Sequence, residues 1–113
     1  MNRDEILNMP AGREMDALVI EEVLKWTFRY STLFFNEGAL DHFVDDKGDS
    51  RILGFSPSTD ISAAWEVVEK LQDVLLDNIG GTWSCSFNCD AYTEVEAETA
   101  PLAICRAALL SVL

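Results

Sequence analysis

The sequence predicts an α+β fold: a layered α-β-α sandwich in which three main helices pack on a small, mostly antiparallel sheet. Three observations carry that prediction. Apolar residues recur at helical spacing in two separate stretches, a strict two-residue alternation follows Gly80-Gly81, and Ala100 to Leu113 is apolar on nearly every side.

The elements follow in order. Arg3 to Asn8 reads as a short opening turn that ends before Met9-Pro10, and Pro10 suits a helix entry. From Ala11 to Trp26, Met15, Leu18, Val19, Val23 and Trp26 share one helical face, with Arg13, Glu14, Asp16, Glu21, Glu22 and Lys25 on the wet side. Thr27 to Phe35 is aromatic and hydroxyl-rich, which favours a strand. Ala39 to Val44 and Arg51 to Phe55 flank Asp45-Asp46-Lys47-Gly48-Asp49-Ser50, the composition of a turn, so a β-hairpin or a mobile loop is expected there.

The second long helix starts after Ser56-Pro57, with Ser58 or Thr59 as cap and Asp60 in the first turn. Ile61, Ala64, Trp65, Val68, Leu71 and Leu75 mark its apolar face, and its end is expected near Asn78, before Gly80-Gly81. Thr82 to Asn88 alternates, Trp83, Cys85 and Phe87 against Thr82, Ser84, Ser86 and Asn88, the cleanest strand pattern in the chain. Ala91 to Ala97 alternates likewise, so a second strand is expected after a turn at Asn88-Cys89-Asp90. Thr99-Ala100-Pro101 then opens the last helix, whose only polar residues are Arg106 and Ser111. A helix this apolar is buried on more than one side, and in a small domain the second side is expected to be another subunit.

The 113 residues are read as one domain, long enough to bury roughly two-thirds of the surface an unfolded chain exposes. No apolar stretch approaches the ~20 residues that span a bilayer, and the polar start Met1-Asn2-Arg3-Asp4-Glu5 does not resemble an export signal. A formal charge of −12, from 20 acids against 8 bases, repels nucleic-acid polymers and anionic membranes. The three cysteines lack paired spacing, which fits reduced cytosolic thiols.

Four stretches taken together resemble a known family: Met9-Pro10-Ala11-Gly12-Arg13-Glu14-Met15-Asp16-Ala17-Leu18-Val19, Ser58 to Leu71 with Ser62-Ala63-Ala64-Trp65, Glu94 to Glu98, and Thr99 to Leu109 with Ala103-Ile104-Cys105-Arg106-Ala107-Ala108. In this order they resemble the phage ABA sandwich domain. The resemblance implies the α-β-α layering and a bacteriophage origin, and it implies no agreed activity and no catalytic residue. In some relatives Cys and His ligands lie between the first two long helices. Here Tyr30 to Pro57 contains His42 and no cysteine, so the resemblance implies no zinc site.

The residues point the same way. Cys85, Cys89 and Cys105 lack zinc-ligand spacing and read as buried small hydrophobes. The Asp45–Asp49 run lacks the closing Glu of an EF-hand. His42 has no triad partner nearby, no phosphate loop follows Gly80-Gly81, and Glu94 and Glu96 read as a solvated strand face. No enzyme, metal or cofactor is therefore expected.

Recognition is left, and four residues are its candidates: Trp65, Trp83, Tyr92 and Arg106. Trp65 sits on an apolar face, where core packing is the ordinary role, and Trp83 is placed to line a cleft beside Gly80-Gly81. Arg106 is expected to pair with Glu94 or Glu96, or to meet a phosphate or carboxylate at a subunit junction. The leading expectation is a non-enzymatic phage accessory protein, a homo-oligomer that sequesters a nucleotide-derived signal of a host defence system. An acidic module that binds a host protein is the alternative, and a minor virion component the third.

Overall fold

A computed structural model describes residues 2–29, 42–44, 50–52 and 55–113, with side chains described for 2–27 and 55–113. The chain opens with α1, Arg3–Asn8, where the Asn2 side chain accepts from the Glu5 N–H at 2.9 Å and Ile6 is fully buried. The predicted first long helix is present as α2, Arg13–Leu18, running on into a π-helical segment, Val19–Leu24. It stops at Lys25, whose left-handed backbone (φ 60°) turns the chain away. Met15, Val19, Val23 and Trp26 are buried as the pattern predicts, Leu18 only partly, and Ile20 and Leu24, outside the predicted face, are buried as well. Asp16 departs from it: rather than facing water, it is buried and accepts the Ser58 N–H at 2.8 Å.

The middle third forms one sheet of three short antiparallel strands, β1 (Thr27–Arg29), β2 (His42–Val44) and β3 (Ser50–Ile52), in that order. β2 and β3 pair as the expected hairpin, His42 opposite Ile52 and Val44 opposite Ser50. Residues 30–41 and 45–49, where the rest of the first strand and the acidic turn were expected, lie outside the described residues. The excursion is tied at its base, where the rings of Trp26 and Phe55 meet at 4.8 Å.

The second long helix, α3, spans Ile61–Leu71. Its cap is Asp60, which accepts from the Ser62 N–H at 3.0 Å. Ser58, expected to cap, is instead buried against the start of α2, where its hydroxyl takes the Gly12 N–H at 3.0 Å. A larger correction concerns the helix end. Gln72 and Asp73 both adopt positive φ (61° and 48°), which stops α3 at Leu71, well before Gly80 and not near Asn78. Val74–Ile79 is a strand, β4, paired along its whole length with β5, Thr82–Phe87. Gly80-Gly81 is the hairpin turn between them, with φ of 64° and 90° that only glycine adopts without strain, and not a helix stop.

β6, Val95–Ala97, completes the second sheet in the order β4-β5-β6, fully antiparallel. The predicted strand was Ala91–Ala97, but Ala91–Thr93 forms a 3-10 turn capped by Asp90. Thr93 explains the change. Its buried hydroxyl accepts the Phe87 N–H at 2.8 Å, taking the place a paired strand residue would fill.

The last helix, α4, is Ala100–Ser111, with the Thr99 hydroxyl accepting from the Leu102 N–H as predicted. It is the centre of the molecule. β5 and β6 cover one side, and α3, the π-helical segment, α1 and α2 cover the others. Ala103, Ile104, Cys105, Ala107, Ala108 and Leu109 are all fully buried. The apolar circumference of α4 is therefore buried within one chain. That burial needs no second subunit, contrary to the expectation drawn from the apolar sequence of the helix.

A candidate ligand-binding cleft

Beside the start of α4 lies a cleft of about 590 Å³. Pro10 and Ala11, which link α1 to α2, form one wall, and Gly81 and Thr82 at the β4-β5 turn form another. Glu96 to Thr99, leading from β6 into α4, close the third, and Leu102 and Arg106 on α4 make the floor. Thr99, Leu102 and Arg106 share one helical face because their spacing is three and four.

Arg106 holds this region together. It donates to the backbone carbonyls of Glu96 (3.3 Å) and Met9 (3.0 Å), so its partners are main-chain oxygens, not the expected carboxylates of Glu94 or Glu96. The Nε is buried and makes no hydrogen bond. Burial pushes the guanidinium below its ordinary pKa, and the charge of nearby Glu98 pulls it back up. A guanidinium carries five N–H donors, so donors remain on Arg106 after both carbonyls are served.

The other three candidates lie elsewhere. Trp83 is half-buried against the core, next to Thr82 but not on the cleft wall. Tyr92 is 49% exposed; the Arg3 guanidinium lies 4.8 Å from its ring centre and donates to its carbonyl and, at 3.4 Å, to that of Glu94. Trp65 is 46% exposed on α3, not packed in the core as its position on the apolar stripe implied. Of the four, only Arg106 reaches the cleft. Glu96, Glu98 and Thr99 do reach it and were missed. Their signal was available as Glu96-x-Glu98-Thr99 directly before a helix whose one arginine lies two turns on.

The cysteines divide. Cys85 and Cys105 are buried, and desolvation pushes Cys85 up to about 12 and Cys105 higher still. Such thiols are inert. Cys89 is exposed in the β5-to-β6 turn at φ 53°, which corrects the expectation that it is core. Among the described residues no three His, Cys, Asp or Glu side chains converge as metal ligands. No described helix is long and apolar enough to cross a membrane.

Fold and cleft together define a small α+β sandwich with a mixed-charge recess at the entry of its central helix. Residues 17–109 match the phage ABA sandwich domain, and the chain belongs to that bacteriophage family. The Met9–Asp16 part of the first resembling stretch precedes the matched residues; Ser58–Leu71, Glu94–Glu98 and Thr99–Leu109 fall inside them. No curated protein matches the chain, and neither does any solved structure.

Proposed function

We propose that this is a non-enzymatic phage accessory protein that holds a small nucleotide-derived ligand in the cleft beside Arg106 and so removes a host defence signal from the host cytoplasm. The observation that carries the reading is the cleft itself. Its volume falls in the range of about 300–1,000 Å³ typical of small-molecule sites, and it converges donors from Arg106 with acceptors from Glu96 and Glu98.

Self-association belongs to this proposal on different grounds from α4. Leu75 and Ile79, 66% and 74% exposed, alternate with Asp77 on the outer side of β4 and offer a second copy a small apolar patch. The functional test is to incubate the purified chain with cyclic oligonucleotides and cyclic ADP-ribose isomers, then measure binding heat and recover the ligand. Tight binding with release of intact ligand is expected. Silence across the panel, with no gain in thermal stability, removes the reading.

A second reading has its own observation: a charge of −12 together with Ile61 and Trp65 exposed one turn apart on α3 suits a basic host protein. Pull-down from host lysate at rising salt separates the two, since charge-driven capture weakens with screening.

A further inference from the structure

The polar groups around the cleft are arranged badly for a phosphate. The first turn of α4 offers an anion almost nothing: Pro101 has no N–H, the Leu102 N–H is held by the Thr99 hydroxyl, and the Ala103 N–H by the Thr99 carbonyl. Arg106 is the one basic residue of the lining, two of its donors serve backbone carbonyls, and Glu96 and Glu98 stand around it. Formally the lining carries −1, one arginine against two glutamates, on a chain that is itself −12. An incoming phosphate meets repulsion from both levels.

The same groups suit a different part of a nucleotide. A carboxylate at neutral pH accepts hydrogen bonds and donates none. It is best matched by two N–H donors side by side. Among the common bases, guanine presents that pair, from its ring N–H and its exocyclic amine. Adenine and cytosine place a ring acceptor beside their amine, which a carboxylate repels. Guanine also carries two acceptors, O6 and N7, which an arginine engages through two N–H groups. Glu98 and Arg106 line one cleft and between them supply both complements.

We propose that the cleft recognises a guanine base, its donor edge on Glu98 and its acceptor edge toward Arg106, with any attached phosphate turned outward to solvent. This rests on the small-ligand reading above and specifies which end of the ligand enters. The phosphate, directed away, leaves the acidic rim without a charge penalty.

The test titrates the full chain with guanosine, adenosine and ribose 5-phosphate separately, followed by amide NMR shifts at Gly81, Thr82 and Thr99. Guanosine should bind about tenfold or more tightly than adenosine, as one lost pair of base contacts implies, with ribose 5-phosphate silent. Glu98→Gln should bring the two nucleosides within about threefold, because an amide both donates and accepts. Glu98 is exposed, so this variant should stay folded and lose little stability in urea unfolding. Equal binding of the nucleosides, or binding of ribose 5-phosphate alone, overturns the base-inward assignment. If the cyclic ligands bind while guanosine does not, this inference fails and the small-ligand reading stands. Silence from all of them ends both.

Discussion

The two long helices of the second half, α3 and α4, are nearly the same length and teach opposite lessons about apolar sequence. α4 is apolar nearly all round and is buried nearly all round, save for the face of Leu102 and Arg106 at the cleft, because a sheet lies on one side and helices lie on the others. α3 is amphipathic and only partly fulfils its own pattern. Ala63, Ala64, Val67 and Val68 are buried, while Ile61 and Trp65 remain in water. Size explains the difference. Alanines at 103, 107 and 108 let neighbours approach α4 closely from several directions, whereas an indole one turn into α3 needs a pocket that the small core does not supply. An apolar helix in a small domain thus marks the central layer at least as well as it marks an interface.

The contrast can be broken by experiment, and the largest expected effect comes first. Native protein treated with a thiol reagent should modify Cys89 rapidly and Cys105, on α4, at least about a thousandfold more slowly, since reaction there waits for unfolding of the core. Comparable rates at the two sites would show that α4 is not central. Leu109→Ala should cost about 2–5 kcal/mol in urea unfolding, as for other fully buried leucines. A loss below about 1 kcal/mol would place Leu109 near the surface.

Thr93→Val keeps the shape but leaves the buried Phe87 N–H without its acceptor, and should cost about 1–3 kcal/mol by the same measurement. Alkaline pH offers a smaller graded test of the region between the sheet and α4. Both buried thiols have folded pKa values raised above the unfolded value of 9.0, so their contribution is fully present below about pH 9. Above that the unfolded chain releases protons that the folded chain retains. Stability should therefore fall by about 1 kcal/mol per thiol for each further pH unit, toward about 12 for Cys85. Cys85→Ala should remove its share of that slope. Trp65→Ala should change stability least, by about 0.5 kcal/mol or less, since half the indole is already solvated. A loss like that of Leu109 would mean α3 packs as tightly as α4.

Much of this fold was legible beforehand. Helical spacing located α2, and alternation located β5. Thr99 marked the start of α4, and the resembling stretches identified the family. Legibility failed where two local readings were equally good. Leu71 and Leu75 continue the stripe of α3 at the right interval, yet Val74–Ile79 is a strand because six residues of β5 lie opposite it. Pairing across a glycine turn outweighed a periodic pattern that had no packing surface left to use. Thr93 shows the same thing on a smaller scale, its hydroxyl replacing a ladder bond and converting an alternating segment into a turn.

The candidate site was less legible than the fold. Tyr92, Trp83 and Trp65 attracted notice as aromatic residues, but Trp83 packs against the core, Trp65 is exposed on α3, and the Tyr92 ring lies beneath the Arg3 guanidinium, all off the cleft. Arg106 was recognisable because a charge on an apolar helix needs an explanation. Its partners were not recognisable, since main-chain carbonyls carry no residue type. Glu98 enters only because the link from β6 to α4 turns beside the Met9–Ala11 link, a proximity between opposite ends of the chain.

The order of amino acids alone thus determined the class of fold, the family, the cap and composition of the central helix, and the net charge of −12. Those properties depend on local spacing and total charge, which folding does not change. Tertiary structure decided that α4 is enclosed by its own chain, that β4 is a strand, and that Arg106 lines a cleft with Pro10, Gly81 and Glu98. Each of these depends on which distant backbone lies alongside, and contact between residues far apart in sequence leaves no periodic trace.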